Sequence, residues 1–234
     1  MKKTLLITGA SRGIGLATAE LFKREGYEII NISRTACPIE GSVNLRADFS
    51  DIYSLEVIQD KLINEISATD SITLVHNAAL LAKGSIQQID SQAFQSSMTV
   101  NVIFPAMLNQ VVIPHMPAKS AIIYIGSTLS EKGVANSAAY VTSKHAVAGM
   151  MRATCQDLAN TEIHTACVCP GFTETEMLKE HVGTQPELLA SIAAQSTKNR
   201  LIAPLEIAKT IYFCAQNPVI NGALIHANTG QLEM

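Results

Sequence analysis

Thr4-Leu5-Leu6-Ile7-Thr8-Gly9-Ala10-Ser11-Arg12-Gly13-Ile14-Gly15 is the stretch on which the reading of this chain turns. A short apolar run enters, three glycines turn, and a helical pattern leaves through Leu16, Ala19, Leu21 and Phe22. That order spells strand, tight turn and helix N-terminus, the opening unit of an α/β layered fold. The turn sets unpaired backbone N–H groups and the positive end of a helix dipole against one spot, which suits a phosphate. Glycine belongs there because a Cβ would block both the turn and the close approach of a pyrophosphate. Gly9, Ser11, Arg12, Gly13, Ile14 and Gly15 are the candidates to hold one. The spacing is Gly-x-x-x-Gly-x-Gly and not the standard Gly-x-Gly-x-x-Gly, so a glycine-rich turn without a ligand stands as the alternative.

The bulk of the chain agrees with an α/β fold. Its 234 residues fit one domain spanning 1–234, since such domains often exceed 200 residues. A hydrophobic share of 47% with only 16% charged residues leaves little to cover an exposed surface, which points to subunit association. A net charge of −3 argues against nucleic acid as a partner, because phosphate backbones need a basic face. The apolar run after Lys2-Lys3 is too short for a signal peptide, and no run reaches the ~18 apolar residues of a membrane span. Five cysteines, odd in number and without Cys-x-x-Cys spacing, point to a reducing cytoplasm. Cys167 and Cys169 alternate along an apolar run and read as packing residues, and no histidine shows metal-ligand spacing.

Further along, Gly26 closes the first helix and Tyr27 to Ile32 reads as a second strand. An acidic residue after that strand would hold the ribose 2′-hydroxyl of NAD; Ser33-Arg34 stands there instead. Arg34 with Arg12 can clamp a 2′-phosphate, a preference of ~10- to 150-fold per good contact; a solvated Arg34 is the alternative. Asp48, at the end of a strand from Val43 to Ala47, meets an adenine amino group or caps a helix. Ser71 to His76 is a fourth strand running into Asn77-Ala78-Ala79, small enough for a ribose to approach or simply for a buried turn. His76 reads as a packed strand-end residue. Asp90 caps a helix predicted to run to Pro114, with Asn101 four residues before Pro105. Proline has no N–H, so the carbonyl of Asn101 loses its helical partner and can hold a water, unless the site is a plain proline kink. A fifth strand, Ala121 to Ile125, ends at Gly126-Ser127, and Tyr140 and Lys144 share one face of the helix that begins near Ser137. That helix is small or apolar at most other positions, which predicts burial on both sides, by the sheet and by another subunit.

Gly9-x-x-x-Gly13-x-Gly15, Asn77-Ala78, Asn101, Ser127, Tyr140-x-x-x-Lys144 and Pro170-Gly171 occur in the order and spacing of the classical short-chain dehydrogenases/reductases, which this chain resembles over nearly its whole length. The resemblance implies a doubly wound Rossmann fold of seven parallel strands with helices on both faces, NAD(P)-dependent carbonyl or alcohol chemistry, and a homodimer or homotetramer. Pro170 to Met177 and Arg200-Leu201 with Glu206-Ile207-Ala208 are similar to 3-oxoacyl-[acyl-carrier-protein] reductases. His76-Asn77-Ala78-Ala79 and Asn228-Thr229-Gly230 depart from the family's usual Asn-Asn-Ala-Gly and Asn-Gly-Gly endings.

By the same resemblance Tyr140 exchanges the proton, Lys144 activates it and holds the nicotinamide ribose, Ser127 orients the carbonyl, and Asn101 holds a relay water. Thr175 holds the carboxamide, and about 176–200 forms a substrate lid lined by Met177, Leu178, Leu188 and Leu189. A tyrosine titrates near ~10; an ammonium ~5 Å away contributes ~3 kcal/mol, or ~2 pKa units, and the positively charged oxidised nicotinamide adds more, so Tyr140 is expected to work near pH 7–8. An acidic carrier protein favours cations at the mouth, where only Arg152 stands, with Asp157 and Glu162 at the end of its helix. NADP is favoured over NAD, and the substrate is a small carbonyl or alcohol. The alternative of another class is a catalytically idle NADP(H)-sensing regulator or scaffold.

Overall fold

The computed structural model describes residues 2–231. Its strands are β1 (Lys3–Thr8), β2 (Glu28–Ser33), β3 (Val43–Arg46), β4 (Ser71–His76), β5 (Ala121–Ile125), β6 (His164–Pro170) and β7 (Ala223–Ala227). They form one seven-stranded sheet in the order β3-β2-β1-β4-β5-β6-β7, every neighbouring pair parallel. The chain therefore winds outward from β1 to β3 and then crosses back to place β4 on the other side of β1. The crevice at the carboxyl ends of β1 and β4 is the switch point at which such sheets bind ligands.

Alternation along the buried strands divides the core into two layers. Leu5 and Ile7 of β1 face α1 (Gly13–Arg24) and α8 (Pro204–Gln216), meeting Phe22, Ile207 and Ile211. Leu6 faces the other way, towards α2 (Ser54–Ile66), α4 (Phe104–Val112) and α5 (Ala138–Asp157), through residues such as Leu62, Leu108 and Met151. Each fully buried Leu or Ile contributes ~1.5–3 kcal/mol, and both faces are lined with them.

The helix after Asp90 differs from the single piece predicted. Asp90 does cap it, accepting the Ala93 N–H at 2.9 Å, but α3 (Ser91–Met98) gives way to a π-turn over Thr99–Ile103 before α4 begins. Phe104 donates its N–H to Thr99 O, five residues back. Pro105 withholds the N–H an unbroken ladder needs, so the helix changes register there instead of simply kinking. By length and composition Ser91–His115 is apolar enough to cross a membrane, which the sequence reading did not expect; here Phe104, Leu108 and Val112 bury against the sheet as a core helix does.

Helix α5 is buried on one face only. Ala139, Lys144, Val147, Ala148 and Met151 point inward, while Thr142, His145, Gly149 and Arg152 are exposed. The expected lid segment carries α6 (Glu176–Val182) and α7 (Pro186–Ala193), joined through Gly183 at φ +96. Every residue of both helices keeps part of its surface exposed.

Candidate active site

The glycine turn is held from three directions. Gly9 adopts φ +75 and Gly13 φ +57, conformations that side chains resist. A Cβ on Gly15 would sit 2.1 Å from Gly9 O, so the turn closes only with glycine there. Asn77 donates through Nδ2 to the carbonyls of Thr8 and Gly9, both at 3.0 Å. The Thr8 hydroxyl accepts the N–H groups of Asn77 and Ala78, also at 3.0 Å. Asn77 and Ala78 thus brace the turn through side chain and backbone. Ser11 and Ile14 flank it, half-buried, and Arg12 is the exposed N-cap of α1. Among the described residues no side chain caps α1, and its first turn carries no acid. That leaves its leading N–H groups for an anion, so the cradle fits a cofactor pyrophosphate.

Within the π-turn, buried Asn101 spends its side chain on structure. Its Oδ1 accepts the Leu80 N–H at 2.7 Å, and Nδ2 donates to Leu80 O and to Ser143 Oγ, both at 2.9 Å. Ser143 in turn donates to Tyr140 O at 2.8 Å. The loop after β4 is thereby tied to the first turns of α5.

At the carboxyl end of β5, Ser127 Oγ accepts the Leu129 N–H at 3.1 Å, while its backbone N–H donates to Ser130 Oγ at 3.1 Å. A Cβ on Gly126 would come within 3.0 Å of Cys167 Sγ, Cys169 Sγ and Ser130 Oγ, so β5 must end in glycine for Ser127 to sit there. The Ser127 side chain stands near enough to the Tyr140 hydroxyl to favour its ionisation. Lys144 Nζ lies 5.5 Å from the centre of the Tyr140 ring and donates to Ile125 O at 2.7 Å. Burial pulls Lys144 down to about 8 and pushes Tyr140 up to about 12, against a lowering by Ser127. The protein's own groups alone therefore do not bring Tyr140 towards pH 7–8; that range also counted the charge of an oxidised nicotinamide. Stripping water from a phenolate is the largest influence on Tyr140 here and outweighs the lowering by its neighbours.

The carboxyl ends of β2 and β3 enclose a cavity of about 320 Å³ lined by Arg34, Arg46, Asp48, Asp51 and Ser54. Arg46, which sequence reasoning missed, stands beside Arg34 because the parallel register pairs it with Ser33. Asp48 caps neither a helix nor an open strand end: its Oδ1 accepts the N–H and hydroxyl of Ser50 at 3.0 and 2.7 Å. Those bonds, and then the Arg34 charge, hold its carboxyl below the usual range. Arg12 is not in this cavity; it pairs with Glu180 of α6 at 3.0 Å. Gly171, after Pro170 at the end of β6, donates its N–H to Ala227 O at 3.1 Å, and a Cβ there would meet Asn228 Cα at 2.9 Å. Thr175 caps α6 by accepting the Leu178 N–H at 3.2 Å.

The family model described as short chain dehydrogenase matches residues 3–186. This chain belongs to the short chain dehydrogenase family. It is 28% identical to the 3-oxoacyl-[acyl-carrier-protein] reductase FabG of Vibrio cholerae over 97% of its own length and 96% of that protein's. Among solved structures, a short chain dehydrogenase family protein from Francisella tularensis superposes with a TM-score of 0.89 at 28% identity, covering 98% of each chain. ElxO with NADP bound superposes at 0.86 with 26% identity, again over 98% of each. The protein is accordingly an NAD(P)-dependent oxidoreductase with a Rossmann fold.

Several supports of this dehydrogenase site escaped the sequence reading. Asn31 in β2 accepts the Ala10 N–H at 2.9 Å and donates to Ser33 Oγ and Asn44 Oδ1 at 2.9 Å each, steadying the glycine turn from beneath. Its signal was present as one polar residue inside an apolar strand. Ser130 and Ser143 carried no signal beyond their residue type. Arg152, the one cation noted at the mouth, lies 3.8 Å from Glu131, which also pairs with His226 at 2.8 Å. Among the described residues no cluster of His, Cys, Asp and Glu could hold a metal ion, and all five cysteines are free.

Proposed function

We propose that this dehydrogenase uses NADP(H) to interconvert a small carbonyl compound and its alcohol, with Tyr140, Ser127 and Lys144 as the catalytic residues. The observation that carries the reading is Lys144, fixed on Ile125 O at 2.7 Å, standing 5.5 Å from the Tyr140 ring, with Ser127 close to the Tyr140 hydroxyl and all three on the same edge of the sheet as the glycine turn. The bound nicotinamide supplies or receives the hydride. Ser127 is fixed by the Leu129 N–H, so its own proton is free for an oxygen acceptor. A substrate oxygen placed beside Tyr140 accepts that bond as negative charge develops on it. Tyr140, raised to about 12, holds its proton at neutral pH and is the acid that carbonyl reduction needs. Lys144, anchored on Ile125 O, holds positive charge near the phenol when the proton leaves, and its other N–H bonds serve the nicotinamide ribose.

Asn101 holds the loop and α5 in register, and its backbone carbonyl in the π-turn is the proposed seat of a relay water. Thr175 is the proposed partner of the carboxamide, and Gly9 to Gly15, Asn77, Ala78, Pro170 and Gly171 line the cofactor's path. Arg34 and Arg46 support NADP over NAD, since two guanidinium groups beside a ribose site suit a 2′-phosphate. Asp48 faces the same cavity. A free small ketone fits better than a carrier-bound one, because Arg152 already faces Glu131. Exposed Leu205 and Phe213 on α8 support a homodimer or homotetramer. A cytoplasmic setting accords with the five free cysteines.

The test is NADPH oxidation against a panel of carbonyl compounds, with Tyr140→Phe alongside. Turnover is expected to fall by at least ~100-fold in the variant. NADPH binding without any Tyr140-dependent turnover would make the chain a cofactor sensor or scaffold instead.

A further inference from the structure

Helix α6 lies across the glycine turn with its acidic side down. Glu180 Oε1 pairs with Arg12 Nη1 at 3.0 Å. Glu176 Oε2 lies 3.5 Å, and the Thr175 methyl 3.3 Å, from where a Cβ on Gly13 would stand. On the opposite side of the cleft, Lys83 Nζ donates to His181 O, one residue beyond Glu180, at 2.5 Å. The helix end is therefore pinned between the phosphate turn and the loop after β4. Two carboxylates face the place where the fold gathers N–H groups and a guanidinium for an anion.

Resting on the NADP reading above, we propose that Glu180 sets this enzyme's cofactor selectivity by competing with the cofactor's 2′-phosphate for Arg12. Held by Glu180, Arg12 does not line the Arg34–Arg46 cavity, so its guanidinium serves a 2′-phosphate there only by giving up that pair. The 2′-phosphate belongs to NADP alone, so the competition weakens NADP and leaves NAD almost untouched. Among the described residues Arg34 and Arg46 form no ion pair, although Asp48 and Asp51 line the same cavity; Asp48 is bound to Ser50, and the Arg34 charge is the smallest of the influences on it. They carry the basal preference, and the Arg12–Glu180 pair limits how far it goes. Both partners are more than half exposed, 58% and 65%, so water screens the pair and its effect is modest.

Fluorescence titration of the full chain with NADPH and NADH, for wild type, Glu180→Gln, Arg12→Ala and the double variant, tests this. Glu180→Gln is expected to raise the NADPH-to-NADH affinity ratio by about two- to fivefold. In the Arg12→Ala background the same change is expected to do nothing, because the contested group is gone. A gain shared equally by both cofactors, a gain that survives Arg12→Ala, or no gain at all overturns the proposal. If wild type binds neither cofactor, the NADP reading itself fails; normal binding with an unmoved ratio sinks only the role of Glu180. Glu180 is exposed, and a thermal midpoint unchanged from wild type separates selectivity from damage to the fold.

Discussion

The floor of the cleft and the segment over it are built by opposite means. Beneath the site runs a buried polar chain: His76 Nε2 bonds Asn109 Oδ1 at 2.7 Å, Asn109 Nδ2 donates to the Tyr124 hydroxyl at 2.7 Å, and that hydroxyl meets Thr154 Oγ1 at 3.1 Å. It joins β4, α4, β5 and α5 across the middle of the core. Above, residues 176–200 are held by exposed pairs such as Arg12–Glu180 and Lys179–Glu174. Buried bonds in a low dielectric fix one geometry and are costly to break; exposed pairs exchange with water at small cost. Chemistry that needs fixed distances sits on the first kind of structure, and selection among ligands on the second.

Breaking the floor is expected to cost most. Gly15→Ala drives a methyl to within 2.1 Å of Gly9 O. It should destabilise the protein by ~3 kcal/mol or more and abolish cofactor binding, read by urea unfolding and fluorescence titration. Near-native stability would show that the turn relaxes and that its rigidity is overstated.

The next effect is acid lability from His76. Burial pushes this ring down to about 4 from its ordinary 6.5, against the raising effect of Asn109. The unfolded chain therefore binds the extra proton between those values while the folded one does not. The stabilisation is complete above 6.5 and drains away as pH falls towards 4, about 3 kcal/mol in all. Unfolding midpoints across that window should slope in wild type and flatten in His76→Phe, which keeps a ring against Tyr124. An unchanged slope would assign the effect to other groups. At the small end, Leu188→Ser in α7, already 44% exposed, should move stability by less than ~0.5 kcal/mol in a thermal melt. A larger loss would mean the segment is bound as firmly as the floor.

What was legible in the sequence divides along the same line. The Thr4–Gly15 turn and the shared helix face of Tyr140 and Lys144 rest on glycine spacing and helical register, which are local signals; the seven-stranded sheet and the grouping of Ser127 with that pair came from the ordered set of family motifs. The partner of Arg12 was not legible, because Glu180 lies 168 positions away on an exposed helix with no pattern of its own. Arg46 was missed because its meaning comes from the parallel register with β2. The π-turn was half visible: Pro105 announced a break at Asn101, but not whether the helix would bend or shift register. The direction of the Tyr140 shift was misread because burial, which sequence spacing does not report, outweighs the nearby ammonium in the protein alone.

The central claim is that Tyr140 gives its proton to the oxygen that Ser127 holds. Single-turnover hydride transfer from NADPH, with cofactor affinity measured on the same sample, tests it directly once the carbonyl panel has supplied a substrate. Tyr140→Phe should bind NADPH within about twofold of wild type and transfer hydride at least ~100-fold more slowly. Transfer at an undiminished rate with the phenol gone would contradict the account.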